Sequence, residues 1–190
     1  MRKAQRDKTR VAILISGRGS NMRALVEKAT GYEVALIASN KTEAAGLEWA
    51  RARGIQTWSL DSKSLGKEDF DRILSAALDE RSIGTIALAG FMRILSPWFV
   101  EEWRGRILNI HPSLLPKYRG LDTHARAIAA GDRVSGCAVH VVTEELDAGV
   151  VLGQAEAPIE PGDTPQSLEQ RVLAAEHELY PRVLSQFVSR

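Results

Sequence analysis

Val11-Ala12-Ile13-Leu14-Ile15 is apolar at every position, so neither face of an extended chain there is fit for water. A strand of that kind belongs in a parallel sheet covered on both sides. The sequence that follows supports this. Gly17-Arg18-Gly19-Ser20-Asn21 turns the chain, and Met22, Leu25, Val26 and Ala29 then recur at helical spacing. Residues 33–39 read as a second strand, 44–53 as a helix ended by Gly54, 57–60 as a third strand and 67–79 as a helix. Residues 85–89 and 106–110 are two further apolar strands. Strands alternating with helices in this way predict an α/β fold: a mostly parallel, doubly wound sheet flanked by helices.

From about residue 120 the rhythm changes. Residues 123–130 read as a short helix, 138–142 as an alternating strand, 150–158 as its partner strand and 165–188 as a long closing helix. No internal repeat or linker divides the 190 residues, so one domain is expected, running from residue 11 to residue 190. The first ten residues, MRKAQRDKTR, read as a basic flexible tail. No apolar run of 7–15 residues follows them, so they are not a secretory signal. A net charge of +1 gives no reason to expect nucleic acid or a membrane surface as partner. No stretch approaches the roughly 20 apolar residues of a membrane span. Cys137 is the only cysteine, which fits a reducing cytoplasm. A segment at 96–103 carries Trp98, Phe99 and Trp103, which would pack either inside one chain or across a dimer; monomer and homodimer both stay open.

The chemistry concentrates in two segments, Asn109-Ile110-His111-Pro112-Ser113-Leu114-Leu115-Pro116 and Glu145-Leu146-Asp147-Ala148-Gly149. Asn109 and His111 are two apart, so on a strand both side chains point to one face. An amide donor beside an imidazole can stabilise a developing oxyanion and move a proton. Asp147, in a glycine-flanked turn, is the candidate third member, although a turn alone would also explain it. Of the other histidines, His140 is ambiguous on its strand, and His124 and His177 carry no pattern. Zinc is disfavoured by the single cysteine and the absence of HExxH, and a serine hydrolase by the absence of a GxSxG elbow. Gly19, Ser20 and Asn21 stand where the first strand meets the first helix. The loop reads equally as an anion cradle or as a turn with a polar cap. It is neither a dinucleotide fingerprint, since Met22 stands where a third glycine belongs, nor a P-loop.

Taken together, LISGRGSN (14–21), ASNK (38–41), LAGFMRIL (88–95), LNIHPSLLPKYRG (108–120), GCAVHVVTEELDAG (136–149) and AEHELYP (175–181) closely resemble the phosphoribosylglycinamide formyltransferases, a family of folate-dependent formyltransferases of purine synthesis. They span nearly the whole chain in the family's order. The resemblance implies the formyltransferase fold, with a nucleotide-binding half at about 11–105 and a catalytic and folate half at about 106–190. It implies Asn109, His111 and Asp147 as the catalytic set. It implies Gly19, Ser20 and Asn21 as the phosphate cradle of glycinamide ribonucleotide, with Glu176 on its ribose hydroxyls. Met92, Arg93, Ile94 and Leu95, with the loop Thr143, Glu144, Glu145, Leu146 and Asp147, would wall the folate. The family often has a second glycine after the aspartate; here it is Ala148, which holds such a turn if its φ stays negative. Arg119 and Asp122 stand where relatives vary.

The implied reaction is attack of the nucleotide's amine on the formyl carbon of 10-formyltetrahydrofolate, the cosubstrate, with no metal and no covalent intermediate. Asn109 and a protonated His111 would donate to the oxyanion, one such donor being worth about 2.7–4 kcal/mol. Asp147 would favour the charged imidazole and relay the proton. Three alternatives are weighed against this. Hydrolysis of the formyl folate substitutes water for the amine, but those relatives lack the GSN cradle. A non-catalytic nucleotide-binding module would keep the fold without the chemistry. Methionyl-tRNA formyltransferase shares HPSLLP but adds an RNA-binding domain, for which no basic patch is present.

Overall fold

The computed structural model describes residues 6–63 and 65–190. In chain order the elements are β1 (Asp7–Ile15), α1 (Ser20–Glu27), β2 (Glu33–Ser39), α2 (Ala45–Arg51), β3 (Thr57–Ser59), α3 (Lys67–Asp79), β4 (Ile83–Leu88), α4 (Pro97–Glu102), β5 (Ile107–His111), α5 (Thr123–Ala129), β6 (Val134–Val141), β7 (Val151–Pro158) and α6 (Pro165–Val188). They form one seven-stranded sheet in the order β3-β2-β1-β4-β5-β6-β7. The pairs among β1 to β5 are all parallel, and β6 and β7 add antiparallel pairs at one side. The expected fold class is therefore the observed one.

The continuous apolar run of β1 is explained by two cores, one on each face. Val11, Ile13 and Ile15 pack with Met22 and Leu25 of α1, Leu47 of α2 and Leu179, Tyr180 and Leu184 of α6. Ala12 and Leu14 pack with Phe70, Leu74 and Leu78 of α3 and with Phe99 and Trp103 at α4. Phe99 and Trp103 are fully buried within the single chain, and Trp103 Nε1 donates to Ser75 Oγ at 3.0 Å. Their apolar character is thus consumed inside the fold.

The beginning of the chain departs from expectation. Residues 1–5 of the expected flexible tail lie outside the described residues, but β1 already starts at Asp7. Arg6 places its guanidinium 3.7 Å from the Trp103 ring centroid and pairs with Asp79 and Glu102 at 2.7 Å each. A basic residue that finds two carboxylates and an aromatic face extends the sheet instead of fraying. β6 is also longer than the alternating stretch at 138–142, because Val134 to Cys137 pair with β7 although they break the apolar alternation. Among the described residues no helix is long and apolar enough to cross a membrane.

Candidate active site

Both expected segments meet at the carboxyl end of the sheet. Asn109 and His111 lie on β5, and the antiparallel register places Asn109 opposite His140 and His111 opposite Ala138 of β6. Tyr180 of α6 holds the neighbouring strand ends: its buried hydroxyl lies 3.1 Å from the carbonyl oxygens of both Leu88 and Leu108 and donates between them. Asp147 follows β6 in the 143–149 loop and folds back over the pair. Its Oδ2 lies 3.4 Å from His111 Nδ1 and its Oδ1 lies 3.5 Å from His140 Nε2.

The hydrogen bonds around this cluster set its roles. His111 Nε2 is 2.9 Å from the carbonyl oxygen of Tyr118, so that nitrogen donates. With Nε2–H so engaged, only the imidazolium form donates to Tyr118 and Asp147 together. Asn109 Nδ2 is 3.3 Å from His140 Nε2, and His140 Nδ1 is 3.1 Å from the Val141 carbonyl. His140 Nε2 thus stands between the Asn109 amide and Asp147 Oδ1, 3.3 and 3.5 Å away, and the ring tautomer decides which of the two it bonds. His140 was ambiguous in the sequence because its partner is set by the β5–β6 register.

Asp147 itself sits at φ 50°, in the left-handed region that side chains other than glycine seldom adopt. Ala148 is not in that region, so the missing second glycine imposes no strain. The Asp147 carboxylate also accepts from Gly120 N–H at 3.0 Å. Burial pushes its pKa up. The His140 ring, the Gly120 N–H and the nearby His111 and His140 charges together outweigh burial and hold it below the usual carboxylate value.

The second expected group assembles on α1 and α6. The N-cap of α1 is Gly19, at φ 71°, and neither Ser20 nor Asn21 caps the helix. The polar-cap explanation of the GRGSN loop therefore does not describe this structure, and the first-turn N–H groups of α1 are left for another partner. Asn21 instead donates from Nδ2 to Glu176 Oε2 at 2.6 Å, across 155 residues of sequence. Its buried Oδ1 has no hydrogen-bond partner among the described residues. Burial pushes the Glu176 carboxyl up to about 7, against the lowering effect of the Asn21 bond.

The expected folate wall is mixed. Met92 and Ile94 are 75% and 70% exposed, and Leu146 is 59% exposed. These are large apolar side chains without packing partners of their own. Leu95 is buried in the core against α3 and α4. Arg93 donates to the carbonyl oxygens of Ser62 at 3.4 Å and Gly66 at 3.2 Å. Thr143, Glu144 and Glu145 are exposed on the loop, where Glu145 pairs with Arg119 at 2.7 Å and Thr143 Oγ1 donates to the Glu145 carbonyl.

Residues 9–184 match the family described as Formyl transferase. The chain belongs to that family. Among proteins of the family, it is 46% identical over 182 residues to "Phosphoribosylglycinamide formyltransferase" of Escherichia coli (strain K12), an alignment covering 93% of this chain and 86% of that one. It is also 46% identical to "Trifunctional purine biosynthetic protein adenosine-3" of Gallus gallus, but spans only 19% of that longer protein's length. The solved structure of phosphoribosylglycinamide formyltransferase from Brucella melitensis superimposes with a TM-score of 0.91 at 48% identity, covering 96% of each chain.

Proposed function

We propose that the chain transfers the formyl group of 10-formyltetrahydrofolate to the primary amine of glycinamide ribonucleotide, a reading supported by relatives named phosphoribosylglycinamide formyltransferase. The observation that carries this reading is the convergence of Asn109, His111 and Asp147 at one end of the sheet, with His140 Nε2 within 3.5 Å of both Asn109 Nδ2 and Asp147 Oδ1.

In this reading the amine attacks the formyl carbon and the C=O π electrons move onto oxygen. Asn109 Nδ2–H and the His111 imidazolium donate to that oxyanion, His111 giving up part of its contact with the Tyr118 carbonyl. A donor of this type is worth about 2.7–4 kcal/mol in the transition state. Collapse re-forms the C=O and expels the folate nitrogen, which takes up a proton as the new amide nitrogen loses one. Asp147, kept ionised by its neighbours, accepts that proton and passes it on. Charge balances at every step without a metal ion or a covalent enzyme intermediate.

The nucleotide phosphate would sit on the α1 N-terminus at Gly19, Ser20 and Asn21, and Glu176 would accept from the ribose hydroxyls. Asn21 and Glu176 touch, so this subsite draws on both the 11–105 and the 106–190 segments. The folate would lie against Met92, Ile94, Leu146 and the rest of the 143–149 loop, with Arg93 and Leu95 holding the wall from behind. The partners are small molecules, the setting is the cytoplasm, and the active species is a monomer or homodimer.

The test is the absorbance change as a 10-formyl folate is deformylated by the purified chain, with and without glycinamide ribonucleotide. A rate that requires the nucleotide is expected. An equal rate without it would mean hydrolysis, and no rate in either case would leave a binding module.

A further inference from the structure

The ends of β1, β2 and β4 and the loop after β3 are joined by one buried ring of hydrogen bonds. Ser16, the first residue beyond β1, donates from Oγ to Asn40 Oδ1 at 2.6 Å. The same oxygen accepts from Met92 N–H at 2.8 Å, while Ser16 N–H donates to the Gly90 carbonyl at 3.0 Å. Asn40 continues the ring by donating from Nδ2 to Ser62 Oγ at 3.4 Å and accepting Ser62 N–H at its carbonyl at 3.3 Å. Arg93 closes it by donating to the Ser62 carbonyl at 3.4 Å, with its guanidinium 4.8 Å from the Phe70 ring centroid. Ser16, Asn40 and Ser62 are each no more than 9% exposed.

The ring lies where the sheet order changes direction. β1 and β4 are neighbours, yet the chain leaves β1 for β2 on one side and β4 for β5 on the other. The crevice at such a switch point is where open α/β sheets bind ligands. Ser16 directly precedes the Gly17-Arg18-Gly19 loop of the nucleotide subsite, and Met92 opens the folate wall. The Gly17 carbonyl in turn accepts from Gly46 N–H of α2 at 3.1 Å, which ties the loop to α2 as well. Met92 and Ile94 have almost no packing of their own, and the wall therefore takes its position from the backbone bonds of Ser16 and the grip of Arg93. One hydroxyl donates on one side and accepts on the other, which leaves it no alternative arrangement within the ring.

We propose that Ser16 is a positioning residue that couples the nucleotide loop to the folate wall, so that ordering of one subsite by its ligand favours the other. This rests on the formyl transfer reading above. Coupling energies carried by such buried networks are typically enough to change affinity severalfold.

The experiment is calorimetric, on the full chain. Binding of 5,8-dideazafolate, which has no formyl group to transfer, is measured with and without saturating glycinamide ribonucleotide, for wild type, Ser16→Ala, Ser16→Thr and Ser62→Ala. The wild type is expected to bind the folate analogue more tightly when the nucleotide is present. Ser16→Ala leaves the Met92 N–H and Asn40 Oδ1 unpaired and should weaken the analogue roughly five- to thirtyfold while bringing the nucleotide's effect toward none. In steady-state assays its KM for the formyl folate should rise more than its kcat falls. Ser16→Thr keeps the hydroxyl and should restore the coupling, and Ser62→Ala should weaken it partway. If Ser16→Ala fails to fold, the partial loss in Ser62→Ala decides the matter. Unchanged affinity and unchanged nucleotide effect in the alanine variants, with only a lowered melting temperature, would overturn the proposal. A wild type that binds neither molecule would instead remove the formyl transfer reading, and the coupling with it.

Discussion

His111 Nδ1 and Asp147 Oδ2 stand 3.4 Å apart, each side chain less than a tenth exposed, with the aspartate backbone held in the left-handed region to bring them together. A strained carboxylate pressed against an imidazole at a strand end is an arrangement that packing alone does not require. It ties the proposed catalytic pair to the loop that follows β6.

Asp147→Asn tests that tie most directly. Asparagine keeps the size of the side chain and an oxygen for Gly120 N–H, but loses the negative charge that faces His111 and His140. Turnover should fall about 10²- to 10⁴-fold, the range of a lost acid–base group. The dissociation constant for glycinamide ribonucleotide should change less than about threefold, because Asn21 and Glu176 are untouched. Nearly wild-type kcat in this variant would take Asp147 out of the mechanism.

His140→Ala separates support from chemistry. The substitution removes the ring nitrogen that faces both Asn109 Nδ2 and Asp147 Oδ1. Stability should drop by about 1–3 kcal/mol for buried polar groups left unpaired, read from urea unfolding midpoints. Turnover should fall less than in Asp147→Asn, since neither reacting group is removed. A larger loss than that of Asp147→Asn would make His140 the proton carrier itself.

Glu176 gives a pH dependence of known sign. Its folded pKa, about 7, is raised above the unfolded value, so the folded state favours the protonated acid. The stabilising contribution is fully present below the unfolded pKa of about 4.3 and is lost as pH rises through 7, in total at most about 4 kcal/mol. Glu176→Gln, which mimics the neutral acid, should flatten this part of the stability profile between pH 5 and 8. Melting curves of the two proteins across that range check it; parallel profiles would mean that Glu176 is ionised in the fold at all these values.

Much of this arrangement was legible from residues alone. The unbroken apolar run of Val11 to Ile15 could only be a strand covered on both faces, and the helices at 67–79 and 165–188 had periodicity long enough to fix their ends. Asn109 and His111 were visible as a pair because alternation on a strand is strictly two. The partnership of Asn109 with His140 was not, because it depends on how β5 and β6 slide past each other, and both strands are apolar enough to permit other registers. The contact of Asn21 with Glu176 spans the chain and follows only from α6 packing against α1. Arg6 was misread as tail because its partners Asp79, Glu102 and Trp103 are 73 or more residues away.

Gly149 and Ala148 should respond very unequally to exchange of glycine and alanine. A Cβ on Gly149 would lie 1.7 Å from the Val141 carbonyl oxygen and 2.8 Å from its carbon, so the obstacle is the β6 backbone itself. That strand cannot yield, since Val141 N–H donates to the Val150 carbonyl at 2.9 Å and the residue pairs with Leu108 of β5. In Gly149→Ala the loop must therefore move, and Asp147, two residues away, moves with it. A displacement of about 1 Å at a reacting group costs on the order of 10²-fold in rate, so kcat should fall by about that factor while the core and the melting temperature change little. Ala148→Gly introduces a second glycine but relieves no strain, because Ala148 is not in the left-handed region. Its kcat should stay within about twofold of wild type, any change reflecting loop mobility. Steady-state kinetics of the two variants side by side decide it: equal effects would mean that the loop's flexibility, and not the placement of Asp147, limits turnover.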